Sequence, residues 1–186
     1  MDLILLSGKA GAGKTTTQKI IEQQLTARGY VCQSANFADL VKYVSKSFCG
    51  WNGEKDDAGR LLLQTVGTDI VRAEDELYWI RFIKDMISFF GDVYDFMIVG
   101  DARFPNEIEY FKDGCEFGYI QNLDKVISVR IEREELTDCN ISAENAKHSS
   151  ETSLDNYEFD ITVINKEGAP INCATEIVNY ILAEVE

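Results

Sequence analysis

With 186 residues, 45% of them hydrophobic, the chain is long enough to close one core of ordinary domain size. Its formal charge of -14 opposes broad electrostatic attraction to DNA, RNA or an anionic membrane surface, which leaves small molecules as the expected ligands. The five cysteines (Cys32, Cys49, Cys115, Cys139 and Cys173) are widely spaced and accompanied by a single histidine, so neither a disulfide framework nor a structural zinc site is expected.

Free thiols suit a reducing compartment. The N-terminus lacks the basic flank and apolar length of a signal peptide, and no later run reaches membrane-spanning length. The expectation is a soluble cytoplasmic protein. A phosphorylated ligand would itself be an anion, so its pocket must concentrate a minority of basic residues, and each Arg and Lys position is informative.

In chain order, Leu3 to Leu6 form a continuous apolar run of the kind found in fully buried strands, and it leads directly into a glycine-rich loop. From Lys14 to Arg28 the side chains Ile20, Ile21 and Leu25 recur at helical spacing, and Gly29 supplies a stop. Tyr30 to Ala35 predicts a second strand and Ala38 to Val44 a short helix, before a break rich in Gly and Asp from Gly50 to Gly59. Leu61 to Leu63 open another helical stretch. Ala73 to Phe90 predicts a long helix with Leu77, Ile80, Ile83, Ile87 and Phe90 on one stripe.

Phe96 to Val99 is again a buried-strand run, and Pro105 begins a short helix that Gly114 ends. Lys125 to Ile131 and Phe159 to Ile164 predict two further strands, and a last helix runs from Ile171 to Ala183. Strands therefore alternate with helices throughout one domain, 1–186. The expected fold is α/β, a three-layer sandwich with a mainly parallel sheet of about five strands flanked by helices. The polar stretch Glu132 to Asn156 interrupts the pattern and reads either as a solvated excursion or as a lid over a phosphate site.

Gly8-Lys9-Ala10-Gly11-Ala12-Gly13-Lys14-Thr15 satisfies the phosphate-loop pattern G-x-x-x-x-G-K-[ST] and sits between a predicted strand and a predicted helix. Glycines there let successive backbone N–H groups turn toward an anion, and the positive end of the helix points at the same place. Gly8, Ala10, Gly11, Ala12, Gly13, Lys14, Thr15 and Thr16 are therefore the expected nucleotide-binding set, and the sandwich is expected to be of the P-loop NTPase type. Lys14 would reach the β and γ phosphates of ATP, and Thr15 would offer its hydroxyl to Mg²⁺.

Asp101 follows the strand Phe96 to Val99, where such proteins place a carboxylate for Mg²⁺; the alternative is an Asp that caps the next turn. Arg103 would lie on the same rim of the sheet, where open α/β sheets bind ligands. A guanine-nucleotide switch is disfavoured. Its base-reading Asn-Lys-x-Asp is matched only by Asn165-Lys166-Glu167-Gly168, with Gly where the Asp should stand.

Beyond the loop, four segments in order resemble those of phage-type deoxynucleoside monophosphate kinases: Phe37-Ala38-Asp39-Leu40-Val41-Lys42, Leu63-Gln64-Thr65-Val66-Gly67-Thr68-Asp69-Ile70-Val71-Arg72, Asp101-Ala102-Arg103-Phe104-Pro105-Asn106-Glu107 and His148-Ser149-Ser150-Glu151. The resemblance implies ATP as donor and a deoxynucleoside monophosphate as acceptor. It puts Phe37, Lys42, Arg60, Gln64, Gly67, Thr68, Arg72, Trp79, Asp101, Arg103 and Glu107 around the acceptor, within a helical region at about 37–90 and the segment after it. Arg130, Arg133 and the His148 segment fall near a lid at 132–156, with Arg133 the better lid candidate.

Lys14, Arg103 and Arg133 would then be the catalytic cations. Trp79 suits either stacking on a base or core packing. His148 is expected to bond within the lid rather than act as a base, because an acceptor phosphate is already ionised. Animal-type phosphomevalonate kinases share a related loop, so another small phosphorylated acceptor stays open, as do a non-catalytic nucleotide switch and a homodimer.

Overall fold

Leu3, Ile4, Leu5 and Leu6 are all fully buried, and this is what the uninterrupted apolar run of the first strand achieves: both faces of the sheet are covered. The computed structural model describes residues 1–54, 56–113, 120–133, 147–166 and 169–185. Within them β1 (Asp2–Ser7), β2 (Cys32–Ala35), β3 (Phe96–Ala102), β4 (Val126–Arg133) and β5 (Ile161–Asn165) form one sheet in the order β2-β3-β1-β4-β5. Every pairing is parallel, so the mainly parallel sheet of the sequence reading is wholly parallel.

The two-residue period of a strand sorts β1 between two cores. Ile4 and Leu6 face Ile21 and Leu25 of α1 (Lys14–Thr26) and the long C-terminal helix Pro170–Val185, through Ile177 and Ile181. Leu3 and Leu5 face Ile80, Ile83 and Ile87 of a helix at Tyr78–Phe90, together with Ile108 and Phe111 of a helix at Pro105–Lys112. Each fully buried Leu or Ile contributes about 1.5–3 kcal/mol, so the central strand alone anchors the three layers.

In chain order the remaining helices are α2 (Ala38–Phe48), α3 (Asp57–Gln64), which a π-helical turn (Thr65–Arg72) continues, α4 (Tyr78–Phe90), α5 (Pro105–Lys112), α6 (Ser149–Thr152) and α7 (Pro170–Val185). Asp56 caps α3 by accepting from the Gly59 N–H at 2.7 Å. A third, smaller cluster, Val41, Val66 and Trp79, packs α2, the π-helical turn and α4 together.

Besides shifts of a few residues at other element ends, two differences from the sequence reading bear on the site. The long helix expected from Ala73 begins only at Tyr78, because the Asp75 carboxylate accepts from the Leu77 N–H at 3.1 Å and breaks the helical ladder there. The strand expected to end at Val99 runs to Ala102, which carries Asp101 on the strand itself. Of the 132–156 excursion, Glu132 and Arg133 belong to β4 and residues 149–152 to α6, while residues 134–146 lie outside the described residues, as does the expected stop at Gly114.

Candidate active site

The chain leaves β1 at Ser7 and turns through the glycine loop into α1. Gly13 adopts φ +91°, and a Cβ there would stand 2.3 Å from Nδ2 of Asn165, so no side chain fits between loop and sheet. That amide belongs to the last residue of β5 and donates to the Ala12 carbonyl at 2.9 Å, bracing the loop from below. Asn165 was legible only as half of a guanine-reading motif that fails; its use is to hold the loop.

Lys14 is 8% exposed, and its ammonium donates to the carbonyls of Gly8 at 2.6 Å and Lys9 at 2.9 Å. Burial, and then the charge of Arg103, lower its pKa to about 7. A phosphate group would favour the ammonium, so the ligand itself would restore the proton.

Ala10, Gly11, Gly13, Lys14, Thr15 and Thr16 form one wall of a cleft of about 530 Å³. The opposite wall gathers Phe37, Lys42, Arg60, Gln64, Gly67 and Thr68, and Arg72, Trp79, Asp101, Arg103 and Glu107 complete it. Three residues of the sequence-derived set do not line it. Gly8 lies behind Lys14, Ala12 is buried in the core, and Arg133 reaches the back of the loop, its Nη1 3.3 Å from the Gly11 carbonyl oxygen.

The cleft thus collects five basic side chains, Lys14, Lys42, Arg60, Arg72 and Arg103, in a chain of charge -14. Asp101 accepts from the N–H groups of Phe37 at 2.8 Å and Ala38 at 3.0 Å, so its carboxylate sits at the positive end of α2. Burial raises its pKa, against those two amides and Arg103. Lys42 pairs with Asp39 at 2.7 Å.

Arg72 is held from several sides. It pairs with Glu107, donates to Asn106 Oδ1 at 3.1 Å and lies 4.0 Å from the centre of the Phe104 ring. Glu107 in turn accepts from the N–H of Arg103 at 2.6 Å and of Phe104 at 3.1 Å. Burial pushes its carboxyl up to about 7, while the Arg72 charge and the Arg103 amide oppose the shift.

Trp79 is 3% exposed and donates from Nε1 to the Gly67 carbonyl at 2.8 Å, so it packs in the small cluster while bordering the cleft. His148 lies outside the cleft lining: Nδ1 accepts from the Ser150 N–H at 3.2 Å, capping α6, and Nε2 is 3.5 Å from Asp69.

Sequence reasoning missed several lining residues, chiefly Glu151. Its Oε1 pairs with Arg103 at 2.5 Å and its Oε2 accepts from the Ala10 N–H at 3.1 Å. The only signal was its place in the His148 segment, since a lone Glu in a polar stretch carries no periodicity. Among the described residues no three His, Cys, Asp or Glu side chains gather as a metal site. A Mg²⁺ held here by Thr15 and Asp101 would take most of its ligands from phosphate and water, which is how this ion is usually bound.

Solved structures of several kinases share the fold. A sugar kinase from Janibacter sp. HTCC2649 matches at 13% identity and TM-score 0.59, over 97% of this chain and 94% of that one. Shikimate kinase from Acinetobacter baumannii, in complex with shikimate, matches at 17% identity and TM-score 0.53, over 98% and 93%. The APS kinase of Mycobacterium tuberculosis, in complex with AMPPNP and APS, matches at 10% identity and TM-score 0.54, over 97% of each chain.

At such identities the likeness establishes a P-loop kinase fold and nothing finer. No curated protein matches the chain, and among the described residues no helix is long and apolar enough to cross a membrane. A family profile described as deoxynucleotide monophosphate kinase matches residues 33–169, and with that match, on a P-loop kinase fold, the chain belongs to the deoxynucleotide monophosphate kinase family.

Proposed function

We propose that this kinase transfers the γ-phosphate of ATP to a deoxynucleoside monophosphate, yielding a deoxynucleoside diphosphate and ADP. The observation that carries the reading is one continuous cleft lined both by the phosphate loop and by Arg60 and Arg72, with Arg103 linked to the loop side through Glu151 and to Arg72 through Glu107. Two phosphorylated ligands bound end to end need cations at both ends and at the junction, because each brings its own negative charge.

In this reading the loop amides and Lys14 hold the triphosphate. Arg60 and Arg72, with Lys42, take the acceptor phosphate, and Gln64, Gly67, Thr68, Phe37 and Trp79 surround the nucleoside. Region 37–90 serves the acceptor, and the 132–156 excursion, with Arg133, serves as the lid. An oxygen of the acceptor phosphate attacks Pγ, a P–O bond forms, and the bond from Pγ to the β–γ bridging oxygen breaks with its electron pair leaving on ADP. The acceptor is already an anion, so no general base is required, in keeping with the position of His148 away from the cleft.

Arg103, between the two walls, stabilises the charge of the moving phosphoryl group. Mg²⁺ would neutralise phosphate charge, with Thr15 as ligand and Asp101 holding it directly or through bound water, since each Asp101 oxygen keeps a lone pair beyond the backbone amide it accepts. The test is an acceptor panel. The protein is incubated with ATP and Mg²⁺ and each deoxynucleoside and ribonucleoside monophosphate in turn, with phosphomevalonate as a further arm, and ADP release is followed. Turnover with at least one deoxynucleoside monophosphate is expected, and turnover only with a non-nucleotide acceptor overturns the reading.

A further inference from the structure

Glu151 places a carboxylate where a phosphate kinase needs an anion to bind. Its two oxygens engage two donors that line the cleft, the N–H of Ala10 in the glycine loop at 3.1 Å and the guanidinium of Arg103 at 2.5 Å. The side chain is 9% exposed. The backbone is tied to the same place: the Glu151 carbonyl accepts from Lys9 Nζ at 2.8 Å, the Ser150 carbonyl accepts from Arg103 at 3.2 Å, and Lys9 also pairs with Asp155. A salt bridge serving the fold alone would have no reason to use a loop amide turned toward the phosphate cleft.

We propose that Glu151 is an internal anion of the phosphate site. In the free enzyme it holds the Ala10 amide and Arg103 together; an incoming triphosphate competes for both donors and takes Arg103 from it. A carboxylate and a phosphate cannot share these donors without like-charge repulsion, which costs several kcal/mol at an interface. Nucleotide affinity is therefore held below what the loop would otherwise give. Arg103 is kept at the junction of the two walls until the phosphoryl group arrives, which makes Glu151 a positioning residue for it. The proposal rests on the phosphate-binding part of the function proposed above.

The test needs no acceptor and no turnover, so its failure leaves the acceptor assignment standing, and failure of the acceptor panel leaves this one standing. Binding of ATP, and of tripolyphosphate as a probe without a base, is measured by calorimetry for the wild type, Glu151→Gln and Glu151→Ala, with melting temperatures recorded. Both variants should bind both probes about tenfold more tightly. In an Arg103→Ala background the gain from Glu151→Gln should shrink, because one of the two contested donors is gone. Unchanged or weaker binding by folded variants overturns the proposal, since a purely structural carboxylate would give that result. Should neither variant fold, the wild type decides: tripolyphosphate should accelerate amide exchange in residues 149–152 as the contact breaks, and unchanged or slower exchange there overturns it.

Discussion

Arg72, at the end of the π-helical turn, and Glu107, on α5, form an ion pair from which water is almost excluded, with side chains 10% and 3% exposed. Removing one member of such a pair leaves the other charge buried without compensation, at a cost of about 3–5 kcal/mol. Arg72→Ala should therefore lose stability on that scale as well as affinity for the monophosphate. ATP affinity should stay close to wild type in whatever fraction folds, because the contacts of Arg72 run to Glu107, Asn106 and Phe104 rather than to the glycine loop. Titrating ATP and the monophosphate separately, after a denaturant melt, checks both halves; equal weakening of the two ligands would remove Arg72 from the acceptor side.

Lys14→Ala should reduce phosphoryl transfer by at least roughly a hundredfold, as expected for loss of one preorganised charge contact. The side chain is buried, yet its partners are two backbone carbonyls of the loop rather than core side chains, so the fold should survive. Near wild-type turnover by the folded variant would displace the site from the loop.

The pKa of Lys14, near 7 in the free protein against an ordinary 10.5, predicts a pH signature. Between those two values the unfolded chain binds more protons at this residue than the folded one, so its contribution to stability rises with pH across that window. Nucleotide binding runs the other way. Phosphate favours the ammonium, so ATP affinity should fall as pH rises above 7, and binding at pH 8 should take up a proton. Calorimetry in buffers of different ionisation enthalpy measures that uptake, and Lys14→Ala should abolish it.

How much of this was legible in the sequence depended on whether the signal was contiguous. The glycine loop lies within eight successive residues, and β1 and β3 announce themselves by apolar runs, so the fold and the loop could be read directly. The Arg72–Glu107 pair joins positions 35 apart in sequence, beyond any local helical spacing, and the nearer Glu76 meets Arg72 only through its backbone carbonyl, 3.3 Å from Nη1. Glu151 and Asn165 reach the loop across more than a hundred residues, through a sheet order that composition cannot give. Trp79 could be assigned neither to core nor to cleft for a physical reason: it borders both.

Asp101→Asn separates two uses of one carboxylate. Asn keeps a single carbonyl oxygen for the two amides of Phe37 and Ala38, which should cost about 1–3 kcal/mol of stability and raise the acceptor KM by disturbing the wall that carries Phe37 and Lys42. If Asp101 also holds Mg²⁺ through water, the Mg²⁺ concentration for half-maximal rate should rise in the same variant. An unchanged Mg²⁺ curve would reduce Asp101 to the cap of α2.

Asn165 supplies the last prediction, because it connects the far edge of the sheet to the loop without itself lining the cleft. Its Nδ2 donates to the Ala12 carbonyl and fills the space that a Cβ on Gly13 would need. Asn165→Ala removes this brace. Losing one hydrogen bond of this kind costs about 0.5–1.5 kcal/mol, and the loop amides then lose part of the preorganisation that phosphate binding depends on. ATP affinity should fall by roughly threefold to tenfold, with the monophosphate unaffected. Gly13→Ala should be far worse, because it combines the collision with an unfavourable positive φ. In the double variant the collision is gone but the φ strain stays, so nucleotide binding should recover only in part. Full recovery would assign the effect to crowding alone, no recovery would assign it to the backbone alone, and the partial value measures how much of the loop's shape is held by β5.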